Sequence, residues 1–233
     1  MKELKTSKKN LDKNIYLNLM VFVIGIVAIM FTPFVARIFS PLFNWVGYGA
    51  LLVFWDEVFT SIFWFAEIAI LKIIYKKKIN KNIISNPETK GQELPIKRVF
   101  IITGIVIACI LVISSQIEFQ VKPFYDLGKK FNGYELLVNC GVFLVNIIKC
   151  MWITIMLKAV QEVFEEIVGK GKIFIPFAGL ILLLTLGIYD IITHAYNLPE
   201  TYLVLYAVYG LLYLLTDRHM VKTYLLIMFI CLF

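Results

Sequence analysis

The chain has little charge and a single polar stretch of any length. Asp, Glu, Lys and Arg make up 17% of its 233 residues against 60% hydrophobic, a balance that excludes an ordinary water-soluble domain. Histidine is scarce, with 2 in the chain, so paired histidines at one depth for a haem or quinone site are not available. The four cysteines, Cys109, Cys140, Cys150 and Cys231, fall inside apolar runs without C-x-x-C spacing. They read as packing residues and carry no information about redox compartment. The net charge is +7, yet Lys and Arg sit between apolar runs and form no stripe with interleaved aromatics. That excludes nucleic acid as a partner and makes the basic residues topology signals and lipid-surface contacts. No cofactor and no metal is implied.

What the chain does have is long apolar runs. A helix needs about 20 apolar residues to cross ~30 Å of hydrocarbon, and the runs predict an all-α, polytopic transmembrane helical bundle of six to seven spans. Residues 1–14 read as a basic cytoplasmic tail and 15–233 as a single transmembrane domain. The first run, 15–35, is too long for a signal-peptide core and has no small-residue cleavage site, so it is retained as a span, kinked or finished near Pro33. Further spans are expected near 53–74, 99–117, 134–157, 173–192 and 201–215, with 220–233 short for a full crossing. Residues 76–98 form the one polar linker. In the third span Gly104 and Ala108 make a small-xxx-small pair suited to close helix contact.

The distribution of Lys and Arg sets the orientation. With the N-terminus inside, 18 fall on the cytoplasmic side and 4 on the other, with Lys149 left within a span. The expected location is therefore the cell membrane, multi-pass, with a cytoplasmic N-terminus.

Charges at membrane depth each cost at least ~2.5 kcal/mol on insertion scales and need a reason. Glu67 and Lys149 each lie nine residues before a basic segment, ~13 Å from the same surface. A buried ion pair between them, helped by Asn146, is the expectation, either as a fixture of the bundle or as a polar pathway. Asp56 and Glu57 near one end of the second span, with Asp190 and His194 four residues apart near the end of the fifth, are the weaker alternative of a divalent-metal site.

The segment from Lys158 to Lys172 is the richest in charge. Glu162, Glu165 and Glu166 recur at i, i+3, i+4, and a partly buried glutamate could act as a general base. Lys158 with Glu162 and Glu166 with Lys170 are also i, i+4 opposite-charge pairs, and spacing alone favours a solvated helix end.

The motif Phe164-Glu165-Glu166-Ile-Val-Gly-Lys170-Gly171 resembles the E-E-x-x-x-R-G motif of the CAAX protease and bacteriocin-processing (Abi) family of intramembrane glutamate proteases. Residues 209–226 look like that family's closing helices, so the resemblance covers roughly 150–230. It implies Glu165 or Glu166 as the base that activates water and His194 and His219 as its partners. The chain departs from the family at Lys170, at Asp190 where the second motif has Phe, and at Thr223 where the third has Asn or Asp. Antiparallel helices would also carry His194 ~20 Å from the glutamates, which leaves His219 as the better placed histidine. Two functions follow as expectations. The favoured one is a non-enzymatic transporter, immunity factor or membrane-complex subunit; the alternative is an intramembrane glutamate-type endopeptidase. Beyond the lipid bilayer, the partners left open are another membrane protein or a peptide.

Overall fold

A computed structural model of the chain describes the backbone of residues 2–43, 49–79, 94–116, 133–168, 175–193 and 201–232. His194 and Lys170 lie outside the described residues. Among those described, the structure is helical with no strand, as the apolar runs require: a backbone with no water beside it satisfies its N–H and C=O groups most simply within a helix. Seven helices follow in order. They are α1 (Lys2–Phe39), α2 (Gly49–Ile79), α3 (Ile96–Gln116), α4 (Gly133–Val168), α5 (177–193), α6 (Thr201–Leu215) and α7 (Met220–Leu232). α1, α2, α3 and α4 are long and apolar enough to cross a membrane, and α5, α6 and α7 are shorter apolar helices.

Three local features differ from the sequence expectation. Of the kink or stop expected near Pro33 the stop does not occur, since α1 runs through to Phe39, and a short 3-10 turn, Ser40–Phe43, follows it. α5 contains a π-helical turn, Leu183–Gly187, where the Thr185 hydroxyl donates to the carbonyls of Ile181 at 2.9 Å and Leu182 at 3.4 Å. A side chain competing for the backbone in this way accompanies a local widening of the helix. α4 continues one helix past Leu157 as far as Val168, so the glutamate motif is part of a long helix.

The helices group into two compact units, each assembled from segments distant in sequence. The first comprises Met1–Ile26, Ile70–Glu93 and Ile153–Thr223. Its core includes Leu17, Val21, Leu71, Ile155, Met156, Leu157, Leu182, Leu186 and Leu212. Within it α5 and α6 cross in backbone contact. A Cβ on Gly179 would lie 2.7 Å from the Tyr206 carbonyl, and one on Gly210 would lie 2.6 Å from Gly179 Cα. No larger residue fits either position without moving a helix.

The second unit comprises Val27–Ala69, Leu94–Trp152 and Tyr224–Phe233. Ala28, Ala36, Trp64, Ile68, Ile102, Val106, Ile113, Trp152, Ile227 and Ile230 form its core, and the Trp64 indole donates to the Ala28 carbonyl at 2.9 Å. A chain of rings, Phe39, Phe63, Phe59, Trp55 and Phe54, runs along its aromatic side with centroid separations of 5.4–6.3 Å. α3 contributes little buried surface, with 17% of its span enclosed. Gly104 and Ala108 are exposed, and a Cβ on Gly104 would meet nothing within 4 Å. Phe100 on α3 and Phe31 and Ile38 on α1 are more than half exposed, which suits contact with lipid tails and not with water.

Candidate functional site

In the first unit part of the charged segment of α4 is buried. Lys158, Gln161 and Glu165 are 6%, 1% and 5% exposed, while Glu162 and Glu166 are half-buried and Ile167 and Val168 exposed, so one stripe of the segment is enclosed and the described end of the helix is open. Hydropathy treats these side chains as wet, but polar groups can enter a core when partners from other helices meet them.

Each partner is identifiable. The Lys158 ammonium stands 3.8 Å from Glu162 Oε1, the i, i+4 pair expected from sequence. On the other carboxylate oxygen, Glu162 Oε2 accepts from Asn18 Nδ2 of α1 at 3.0 Å. Asn18 Oδ1 in turn accepts from the Tyr75 hydroxyl of α2 at 3.1 Å. One acid of α4 is thus connected to two further helices. Gln161 works in the other direction. Its Oε1 accepts the backbone N–H of Ala178 at 3.4 Å, one of the first N–H groups of α5 that has no intrahelical acceptor. Its Nε2 donates to Glu165 Oε1 at 3.2 Å. Phe164 and Phe177 stack alongside with centroids 4.8 Å apart and planes 8° from parallel.

Glu165 is the end of this network. Its Oε1 also accepts from Arg218 Nε at 2.6 Å. Arg218 lies in the turn between α6 and α7, where Asp217 and Arg218 hold φ of 54° and 61°. Two successive left-handed residues without glycine cost roughly 1–2 kcal/mol each and persist where surrounding structure fixes them. Here the Arg218 N–H bonds to the Tyr213 carbonyl at 2.9 Å and Asp217 N–H to that of Leu214 at 3.1 Å. Below the turn, the Thr216 and Thr223 hydroxyls share a 2.7 Å hydrogen bond. Thr223 therefore helps to close the α6–α7 turn.

The turn that meets Glu165 carries His219, but the side chain that reaches the carboxylate is its neighbour Arg218. His219 Nδ1 accepts from the Lys222 backbone N–H at 3.3 Å, and its carbonyl accepts from Thr223. Glu166 follows Glu165 on the same helix and is half-buried. Sequence reasoning singled out the histidines and passed over Arg218. Arg218 stands beside Asp217 and His219 in a short polar turn, so no local signal in the sequence directed it to Glu165. Glu165 Oε1 thus carries one guanidinium and one amide donor, and the residue is 5% exposed.

The second unit holds the remaining candidates apart from Asp190, which belongs to the first. Glu67 Oε1 accepts from the Thr32 hydroxyl of α1 at 2.8 Å. The expected partner, Lys149, is not on this carboxylate; it lies within electrostatic reach of Glu57, together with Asp56 and Arg37. Arg37 stands 4.0 Å from Asp56. Glu67 Oε1 is met by a hydroxyl of α1 in place of the expected ammonium, and Oε2 is buried with no hydrogen-bond partner among the described residues. Asn146 is half-buried on α4. Among the described residues no group of three or more His, Cys, Asp and Glu side chains is gathered as a metal site requires. Asp190 Oδ2 accepts from the Tyr206 hydroxyl at 2.7 Å.

No protein-family model, no curated protein and no solved structure matches the chain.

Proposed function

We propose that the chain is a non-enzymatic multi-pass protein of the cell membrane, with its N-terminus in the cytoplasm, that works by binding as an immunity factor or a subunit of a membrane complex. The observation that carries this reading is the 2.6 Å bond from Arg218 to Glu165. The glutamate a protease would use as base is engaged by a guanidinium and by Gln161, and serves as a fastening between α4 and the α6–α7 turn. Transport is a weaker fit, because Glu67 is bonded to Thr32 while Lys149 is near Glu57, so the charges that would line a polar pathway do not converge. The orientation rests on the distribution of Lys and Arg.

The glutamate-endopeptidase reading keeps one supporting observation: the turn bearing His219 is the one that meets Glu165. A reporter peptide anchored in the same vesicles as the purified protein separates the two. The binding reading expects no cleavage by the wild type above the level of an E165Q, E166Q variant. Cleavage that disappears with either substitution while folding is retained overturns it.

A further inference from the structure

Two ends of the apolar helices meet at a cluster of lysines. Lys13 opens one stretch long and apolar enough to cross a membrane, Lys13–Leu42, and Lys78 closes the next, Leu51–Lys78. The Lys13 ammonium donates to the Lys78 backbone carbonyl at 2.8 Å, at the end of α2 where carbonyls run out of intrahelical donors. Both residues belong to the first unit. The contact adds Lys13 to Lys72, Lys76, Lys77 and Lys78 of α2, and all five are exposed. Lys72 and Lys76 stand four apart on one helix face, where like charges oppose each other. No acid occurs in 13–24 or 68–78, and the acids that flank these stretches in the chain are Asp12, Glu67 and Glu88. Glu162, which reaches α1 and α2 through Asn18, is already taken by Lys158 and Asn18. On the apolar side of the cluster, Tyr16 of α1 and Ile70 and Ile73 of α2 are more than half exposed.

We propose that the meeting of α1 and α2 at Lys13 and Lys78 is a binding site for the headgroup of an anionic phospholipid. The lysines take the phosphate, and the acyl chains lie on Tyr16, Ile70 and Ile73. The arrangement selects a lipid over a free anion because the cations stand directly beside exposed apolar side chains, so both halves of a phospholipid are met. It selects an anionic lipid over a zwitterionic one because neither stretch offers an acid to receive a choline or ethanolamine group. Lys13 has a particular part: one of its three N–H groups is fixed on the Lys78 carbonyl, which holds the ammonium in place and leaves two donors for phosphate oxygens. Cations at the edge of a membrane span stand at headgroup level, where attraction to anionic lipid is strongest. This proposal is independent of how Glu165 is used and of which end of α1 faces the cytoplasm.

The test reconstitutes the full chain in vesicles of equal parts phosphatidylcholine and phosphatidylglycerol, extracts it in mild detergent and counts retained lipids by native mass spectrometry. The wild type is expected to keep phosphatidylglycerol in strong preference to phosphatidylcholine. Replacing Lys76, Lys77 and Lys78 together by glutamine should lower that retention at least about tenfold, and K13Q alone about fivefold. R37Q, near the opposite end of α1, should leave it unchanged. The substituted lysines are exposed, and unchanged thermal unfolding of the variants in phosphatidylcholine separates lost binding from lost folding. Equal retention of the two lipids by the wild type overturns the proposal. So does a preference that survives the triple substitution, or one that falls as far in R37Q. Displacement of the lipid by excess inorganic phosphate also overturns it, because the site would then be one for free anions.

Discussion

Arg218 and Glu165 are 53 positions apart and meet through a single 2.6 Å bond from Nε to Oε1. This contact links the acidic segment of α4 to a turn whose backbone is held in the left-handed region at Asp217 and Arg218. Its chemistry is that of a partly buried ion pair: removing one member leaves the other desolvated without compensation, whereas removing both need cost little. Glu165 is 5% exposed and the Arg218 side chain 32%, so the glutamate is the member that suffers more when left alone.

The connection through Asn18 gives a first prediction. Asn18 is buried between the Tyr75 hydroxyl and the Glu162 carboxylate. Replacing it with leucine removes both bonds at once and leaves an acceptor and a donor unmet, at a cost of about 1–3 kcal/mol. Thermal unfolding in lipid nanodiscs checks this. Tyr75→Phe, which loses only the outer bond, is expected to cost about 1 kcal/mol or less.

Glycine substitutions should separate by position. Gly179→Ala and Gly210→Ala each drive a methyl to within 2.9 Å of the facing helix backbone, and overpacking of that kind costs about 1–3 kcal/mol. Gly104→Ala, with open space around its Cβ, is expected to be neutral or to gain about 0.5–1 kcal/mol from helix propensity. The three midpoints, measured side by side, test the α5–α6 crossing.

A third prediction concerns Glu67. Thr32→Val removes the hydroxyl on its carboxylate and should cost about 1 kcal/mol. Exchanging the charges, Glu67→Lys with Lys149→Glu, should not restore the stability lost by either single change. Restoration by the exchange would reinstate the ion pair that depth alone suggested.

The helical bundle was legible because lipid leaves the backbone so few choices: runs such as 15–35 and 134–157 announce helices whatever their neighbours do. The site was legible only in part. The segment around Glu165 drew attention through its charges, but its burial depends on Asn18, Ala178 and Arg218 arriving from other elements, and no local spacing encodes that. The Gly179–Gly210 crossing joins residues 31 positions apart, beyond the reach of a small-xxx-small pattern. Where that pattern does occur, at Gly104 and Ala108, the surface is open. Depth alone pointed to Lys149 as the partner of Glu67 and could not reveal that a hydroxyl of α1, Thr32, would take the carboxylate.

The most direct measurement of the central claim is a double-mutant cycle at Glu165 and Arg218, read by thermal unfolding in nanodiscs, with E165Q carried through the anchored-peptide cleavage assay in parallel. R218M alone, which strands the buried carboxylate, is expected to lose roughly 3 kcal/mol, E165M, which leaves the part-exposed guanidinium, about 1 kcal/mol, and E165M/R218M together about 1 kcal/mol, giving a favourable coupling of roughly 3 kcal/mol. The contradicting result is an E165Q protein of unchanged stability that has lost a cleavage activity present in the wild type.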